Sequence, residues 1–167
     1  LILQMCVNNN WTPYAADVEA AFLQGDAVAR RNGTTYLEQP REGLPGMLPG
    51  DLLCVKKGLF GFADSPRLWW SCFSNKLRAL RVPTSAGDVV FSQSDHDPAL
   101  FVARRAGVVV AVLGVHVDDV LFATALPAVV DAVQSLFPFS KVECDNFEFS
   151  GKPVATEREN GRISKII

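Results

Sequence analysis

The sequence predicts an α+β fold, an antiparallel sheet with helices packed on one of its faces. Three observations carry that expectation. Short β-branched runs are bounded by turn residues, and one segment shows apolar side chains at helical spacing. Residues 108–126, VVVAVLGVHVDDVLFATAL, place two apolar runs on either side of adjacent Asp118 and Asp119, the pattern of a buried β-hairpin.

In chain order, Leu1–Val7 reads as the tail of a helix or a strand, broken by Asn8-Asn9-Asn10. Ala15–Leu23 (AADVEAAFL) is apolar around Asp17 and Glu19, which suits a strand ending near Asp17 and turning into a short helix. Thr34–Glu38 is a strand stopped by Pro40, Arg41–Gly50 a Pro/Gly-rich loop, and Leu52–Lys56 a second short strand. Asp64-Ser65-Pro66 starts a helix, with a capping side chain ahead of a first-turn proline. Trp69, Phe73, Leu77 and Leu80 then fall on one helical face until Pro83–Gly87 breaks it. Ala99–Ala103 and Val108–Val115 are strands joined by a turn at Arg104–Gly107. A second helix opens at Leu126-Pro127, its stripe of Val129, Val130, Val133, Leu136 and Phe137 ended by Pro138. Phe147–Gly151 is a last short strand.

With 49% hydrophobic and 20% charged residues, the chain suits a globular domain rather than a disordered one. A net charge of −2 lacks the basic footprint usual for a nucleic-acid partner. The four scattered cysteines form no CxxC pair, so reduced intracellular thiols are expected, without a zinc site or disulfide scaffold. The run from Val108 is too short to span a bilayer, and no membrane partner is expected. An opening and a close inside apolar segments suggest a piece of a longer protein, intracellular, in cytoplasm or nucleus.

Chemistry is expected at the aspartates. Two adjacent carboxylates at a hairpin tip repel each other, and a cation would remove that cost. An Asp-Asp pair alone is better read as a plain turn, since aspartate bonds nearby backbone. Asp17, a third carboxylate in an apolar segment, makes an oxygen-rich site for Mg²⁺ the sharper reading. Two such ions would activate an attacking hydroxyl and stabilise a leaving phosphate.

The chain resembles the reverse transcriptase domain of copia-type retrotransposons. Collinear stretches carry the likeness: NNNWTPYAADVEAAFLQGD (8–26), YLEQP (36–40), KKGLFGFADSPRLWW (56–70), DHDPALF (95–101), HVDDVLFA (116–123) and the weaker FEFSG (147–151). The resemblance implies a polymerase palm-like fold, a single partial domain over 1–167 comprising palm with part of the fingers, and thumb and ribonuclease H absent. It implies an RNA-directed DNA polymerase using two Mg²⁺ ions, with Mn²⁺ a possible substitute. Its partners would be an RNA or DNA template with primer, dNTPs, and polyprotein modules such as integrase and ribonuclease H.

By the same resemblance Asp17, Asp118 and Asp119 are the catalytic metal-binding carboxylates, with the Val18 carbonyl as a further ligand. Phe22 would lie beneath the sugar of the incoming dNTP and exclude a 2′-hydroxyl, while ordinary core packing is its bland alternative. Phe60 and Gly61 would meet the nascent base pair. Ser65, Pro66, Arg67, His116, Phe149 and Gly151 would contact template or primer. Lys141 sits where a lysine would approach pyrophosphate, and a plain surface lysine is the preferred reading.

Two substitutions depart from the pattern. His116 replaces the family's usual tyrosine, and Ala63-Asp64 replaces a Lys-Gln pair, exchanging a positive for a negative charge along the template path. These leave open an inactive remnant acting as an interaction module. A metal-dependent phosphohydrolase has less support, because no basic or nucleophilic residue accompanies the carboxylates.

Overall fold

Helix α1 (Ile2–Asn9) opens the chain and ends where Asn10 adopts a left-handed backbone, φ 55°, the usual stop for a helix that lacks glycine. The Asn10 side chain then accepts the Ile163 backbone N–H at 2.9 Å, so one residue stops the helix and holds the C-terminal strand. Strand β1 (Thr12–Val18) follows, then the short helix α2 (Ala21–Gln24). The strand ending near Asp17 and the helix after it form as the sequence predicts.

This computed structural model describes residues 1–27 and 33–167. Its contacts divide the chain into two compact units: Leu1–Ala21 with Phe73–Ile167, and Phe22–Cys72. The second unit holds β2 (Tyr36–Glu38) paired antiparallel with β3 (Leu52–Cys54). The loop between them is pinned by the Gln39 amide, which donates to the carbonyls of Leu48 and Asp51 at 2.7 and 3.0 Å. Helix α3 (Ser65–Ala79) starts in this unit.

In the first unit come β4 (Arg81–Val82), β5 (Val89–Gln93), β6 (Leu100–Arg105), β7 (Val108–His116) and β8 (Asp119–Thr124). Helix α4 (Pro127–Gln134), β9 (Phe139–Cys144), β10 (Asn146–Phe149), β11 (Lys152–Glu159) and β12 (Arg162–Ile166) complete it. Seven strands form one sheet in the order β4-β5-β6-β7-β8-β1-β9, and β10-β11-β12 form a second. Every pairing is antiparallel. The fold is mixed α/β and mostly strand.

Residues directly opposite in an antiparallel pair share a face, so the register sorts the core. Ala15, Leu121 and Gly114 lie on one face, and Tyr14, Phe122, Leu113 and Phe101 on the other. Helix α1 covers the first face: Cys6 is fully buried with Trp11, Val112, Ala123 and Ile163. Gly114 lies close beneath α1, where a Cβ would come 3.0 Å from the Ile2 Cδ1 and that side chain would have to give way. On the second face the rings of Tyr14 and Phe122 stack at 4.9 Å. There Phe73 from the middle of α3 stacks on Phe137 at 5.6 Å and meets Phe101 edge-on.

Helices therefore lie on both faces, which corrects the one-face arrangement expected from sequence. The cause is α1, a short helix whose buried cysteine and partly buried Ile2, Met5 and Val7 need a surface to cover. Helix α4 also stops three residues early, at Gln134, although Phe137 stays buried against Phe73. Strands β4, β5, β9, β11 and β12 add to those read from the sequence.

All four cysteines are free thiols. Burial pushes the Cys6 thiol up to about 11, so it packs as a small apolar group. Among the described residues no helix is long and apolar enough to cross a membrane.

Candidate metal and nucleotide site

The aspartates meet because of pairing register. Asp17 on β1 is the cross-strand partner of Asp119 on β8. Asp119 also faces His116 on β7, and Asp17 also faces Lys141 on β9. One row across four strands thus reads His116, Asp119, Asp17, Lys141, two carboxylates between two basic side chains. Opposed pairs in such a row lie about 5 Å apart.

Asp118 sits in the two-residue turn, Val117-Asp118, that closes the β7–β8 hairpin. Val117 holds a left-handed backbone, φ 58°, and is 44% exposed. A β-branched residue is strained there, and such strain concentrates at functional turns. The turn is fastened to β1, where the Val18 N–H donates to the Asp118 carbonyl at 2.9 Å. Asp17, Asp118 and Val18 are thereby locked together by backbone.

Burial raises the Asp119 carboxyl above its usual range, and the charges of Asp118 and Asp17 raise it further. His116 and the Ser150 backbone N–H, which bonds the carboxylate, work against that rise. Ser150 belongs to the tight turn between β10 and β11. Ser150 and Gly151 both have positive φ, 49° and 73°, the geometry of a two-residue hairpin turn matched to strand twist. That hairpin is tied down at its other end, where Arg158 bonds Asp145 at 2.8 Å and Thr12 at 3.1 Å. Phe149, beside the turn, lines an apolar groove of about 440 Å³ with His116, Ile2, Leu100 and Leu121.

A smaller cavity of about 100 Å³ is lined by Asp17, Asp119, Glu143, Glu148 and Lys141. Lys141 is largely exposed and its Nζ pairs with Glu143 at 2.8 Å. The Asp17 carboxylate accepts a hydrogen bond from the Ser140 hydroxyl. Sequence reasoning passed over Ser140, Glu143 and Glu148.

An all-oxygen set of like charges fits the chemistry of a hard divalent cation. The carboxylates are neighbours without being drawn together, for among the described residues no three His, Cys, Asp or Glu side chains are grouped closely enough to hold a metal ion.

The remaining expected residues belong to the second unit. The Phe22 ring is 8% exposed and lies 4.7 Å from the ring of Phe60, which is 74% exposed. Gly61 has φ 89°, a backbone that excludes most side chains. Ser65 is fully buried, its hydroxyl donating to the Leu59 carbonyl at 2.6 Å, whereas Pro66 and Arg67 are exposed. Gly58 suits this packing, since a Cβ would come to 3.0 Å from the Ser65 Oγ and 3.2 Å from the Phe22 carbonyl, and both would have to shift.

No family model matches the chain, and no solved structure matches it. Two curated proteins of Arabidopsis thaliana do. The chain is 30% identical over 121 residues to the retrovirus-related Pol polyprotein from transposon RE1, and 28% identical over the same length to that from transposon RE2. Each match covers 72% of this chain and 7% of the relative. The chain is homologous to a short region of retrotransposon Pol polyproteins.

Proposed function

We propose that the chain is an RNA-directed DNA polymerase domain of a copia-type retroelement polyprotein, built on a palm-like sheet. The observation that carries this reading is the cross-strand pairing of Asp17 with Asp119 beside the strained Val117-Asp118 turn. The polyprotein homology agrees with it.

The reaction is attack of a primer 3′-hydroxyl on the α-phosphate of a dNTP. The new phosphodiester forms as the bond to the β-phosphate breaks, pyrophosphate leaves and the hydroxyl proton is released. Asp17, Asp118 and the Val18 carbonyl would hold two Mg²⁺ ions, with Asp119 supporting them. When bound, the ions lower the pKa of the attacking hydroxyl and offset charge on the leaving group. His116 and Phe149, which share one groove, receive the primer end. Phe22 bars a 2′-hydroxyl, the exposed Phe60 ring and Gly61 meet the base pair, and Arg67 with Ser65-Pro66 borders the template.

The test is primer extension on poly(rA)/oligo(dT) with Mg²⁺ or Mn²⁺, using the chain alone and joined to its flanking polyprotein regions. Asp118→Asn is expected to abolish extension, and extension that survives it overturns the carboxylate assignment. A second reading, an inactive remnant serving as an interaction module, draws on the ungrouped carboxylates. No extension by any form of the parent would favour it.

A further inference from the structure

Strand β9 carries one residue more than β1 needs. Lys141 pairs with Asp17 and Phe139 pairs with Val18, so Ser140 is the extra residue of a β-bulge. Bulges of this kind re-aim a side chain and are enriched beside active sites. Here the re-aimed group is the Ser140 hydroxyl. It donates to Asp17 Oδ2 and lies 3.3 Å from the Asp17 backbone carbonyl. Because Ser140 is exposed, packing alone does not account for its place.

We infer that Ser140 is a positioning residue for the cation site: its hydroxyl fixes the rotation of the Asp17 carboxylate, engaging Oδ2 and leaving Oδ1 free of this bond for a divalent ion. The inference rests on the metal reading of Asp17, Asp118 and Asp119 given above. Three features make the arrangement effective. The backbone of Asp17 is held by β8 on one side and β9 on the other, so the carboxylate keeps only its side-chain torsions. Val18 is fastened to the Asp118 carbonyl and Glu19 to the Pro138 carbonyl, at 2.9 and 3.0 Å, which fixes the strand end just past Asp17. Finally, four carboxylates line the adjoining cavity with one lysine, and that lysine is paired with Glu143. Without the hydroxyl, Asp17 is left to turn away from its like-charged neighbour Asp119. Hydrogen bonds to metal-ligating carboxylates are typically worth 10–100-fold in affinity.

Titration of the chain with Mn²⁺ alone, followed by the loss of free-ion electron paramagnetic resonance signal, tests this without reference to catalysis. Ser140→Ala is expected to weaken Mn²⁺ binding about tenfold, with its thermal melt in EDTA unchanged. Ser140→Thr keeps the donor and is expected to bind like the parent. Equal affinity in Ser140→Ala overturns the inference, as does Ser140→Thr binding as weakly as Ser140→Ala. A folded parent that binds no Mn²⁺ overturns the metal reading itself and the role of Ser140 with it.

Discussion

At the scale of single residues, the carboxylate pair is a source of instability that ligand binding would relieve. The folded protein holds the Asp119 proton more tightly than the unfolded chain does, because burial and two neighbouring charges disfavour ionisation. The contribution of Asp119 to stability is therefore full below the ordinary aspartate value of 3.8 and is lost as pH rises through the raised one. Asp119→Asn is expected to flatten that decline and, near neutral pH in EDTA, to stabilise the fold by about 0.3 kcal/mol, since water screens half-exposed charges. Urea unfolding at several pH values checks both. Phe22 makes a separate prediction in its own unit. Its ring is packed against Phe60 and little exposed, so it is a rigid wall. Phe22→Ala is expected to lower the preference for dNTP over NTP about tenfold, roughly 1.4 kcal/mol, read from incorporation of each by a protein that still extends primers. Unchanged selectivity would return Phe22 to plain core packing.

Among the elements, the hairpins were legible to different degrees. The β7–β8 hairpin announces itself, because its strands are apolar on both faces and its tip is charged. The β11–β12 hairpin has only Val154 and Ile163 buried, so the apolar alternation that marks a strand is too thin to see. Its turn did carry a signal that went unused: Asn160-Gly161, both with positive φ at 51° and 77°, is the preferred pair for a two-residue turn. Gly161→Ala is expected to cost about 1–2 kcal/mol for placing a Cβ in a left-handed backbone, measured by urea unfolding. No comparable cost is expected at Arg162, where the backbone is extended. The Ser140 bulge lay beyond reach for another reason. A bulge is a mismatch between two strands, and β9 taken alone, FSKVEC, does not show where its partner runs out of residues.

For the molecule as a whole, the three aspartates were readable as a set because each sits in an apolar segment that a carboxylate should avoid. The row that pairs Asp17 with Asp119 was not, since it depends on β1 being inserted between β8 and β9, two strands distant from it in sequence. The same insertion hid the second covered face: nothing in Leu1–Val7 says which side of a sheet it will meet. It also sets when the site comes into being. Residue 17 emerges early in synthesis, yet its partners at 119 and 140 follow only after six further strands have been made. A nascent chain therefore carries Asp17 without its cross-strand partners, and non-local strand pairing of this kind is slow. Assembly of the row has to wait for β9, so a chain cut short before β9 lacks both the Lys141 end of the row and the Ser140 contact to Asp17.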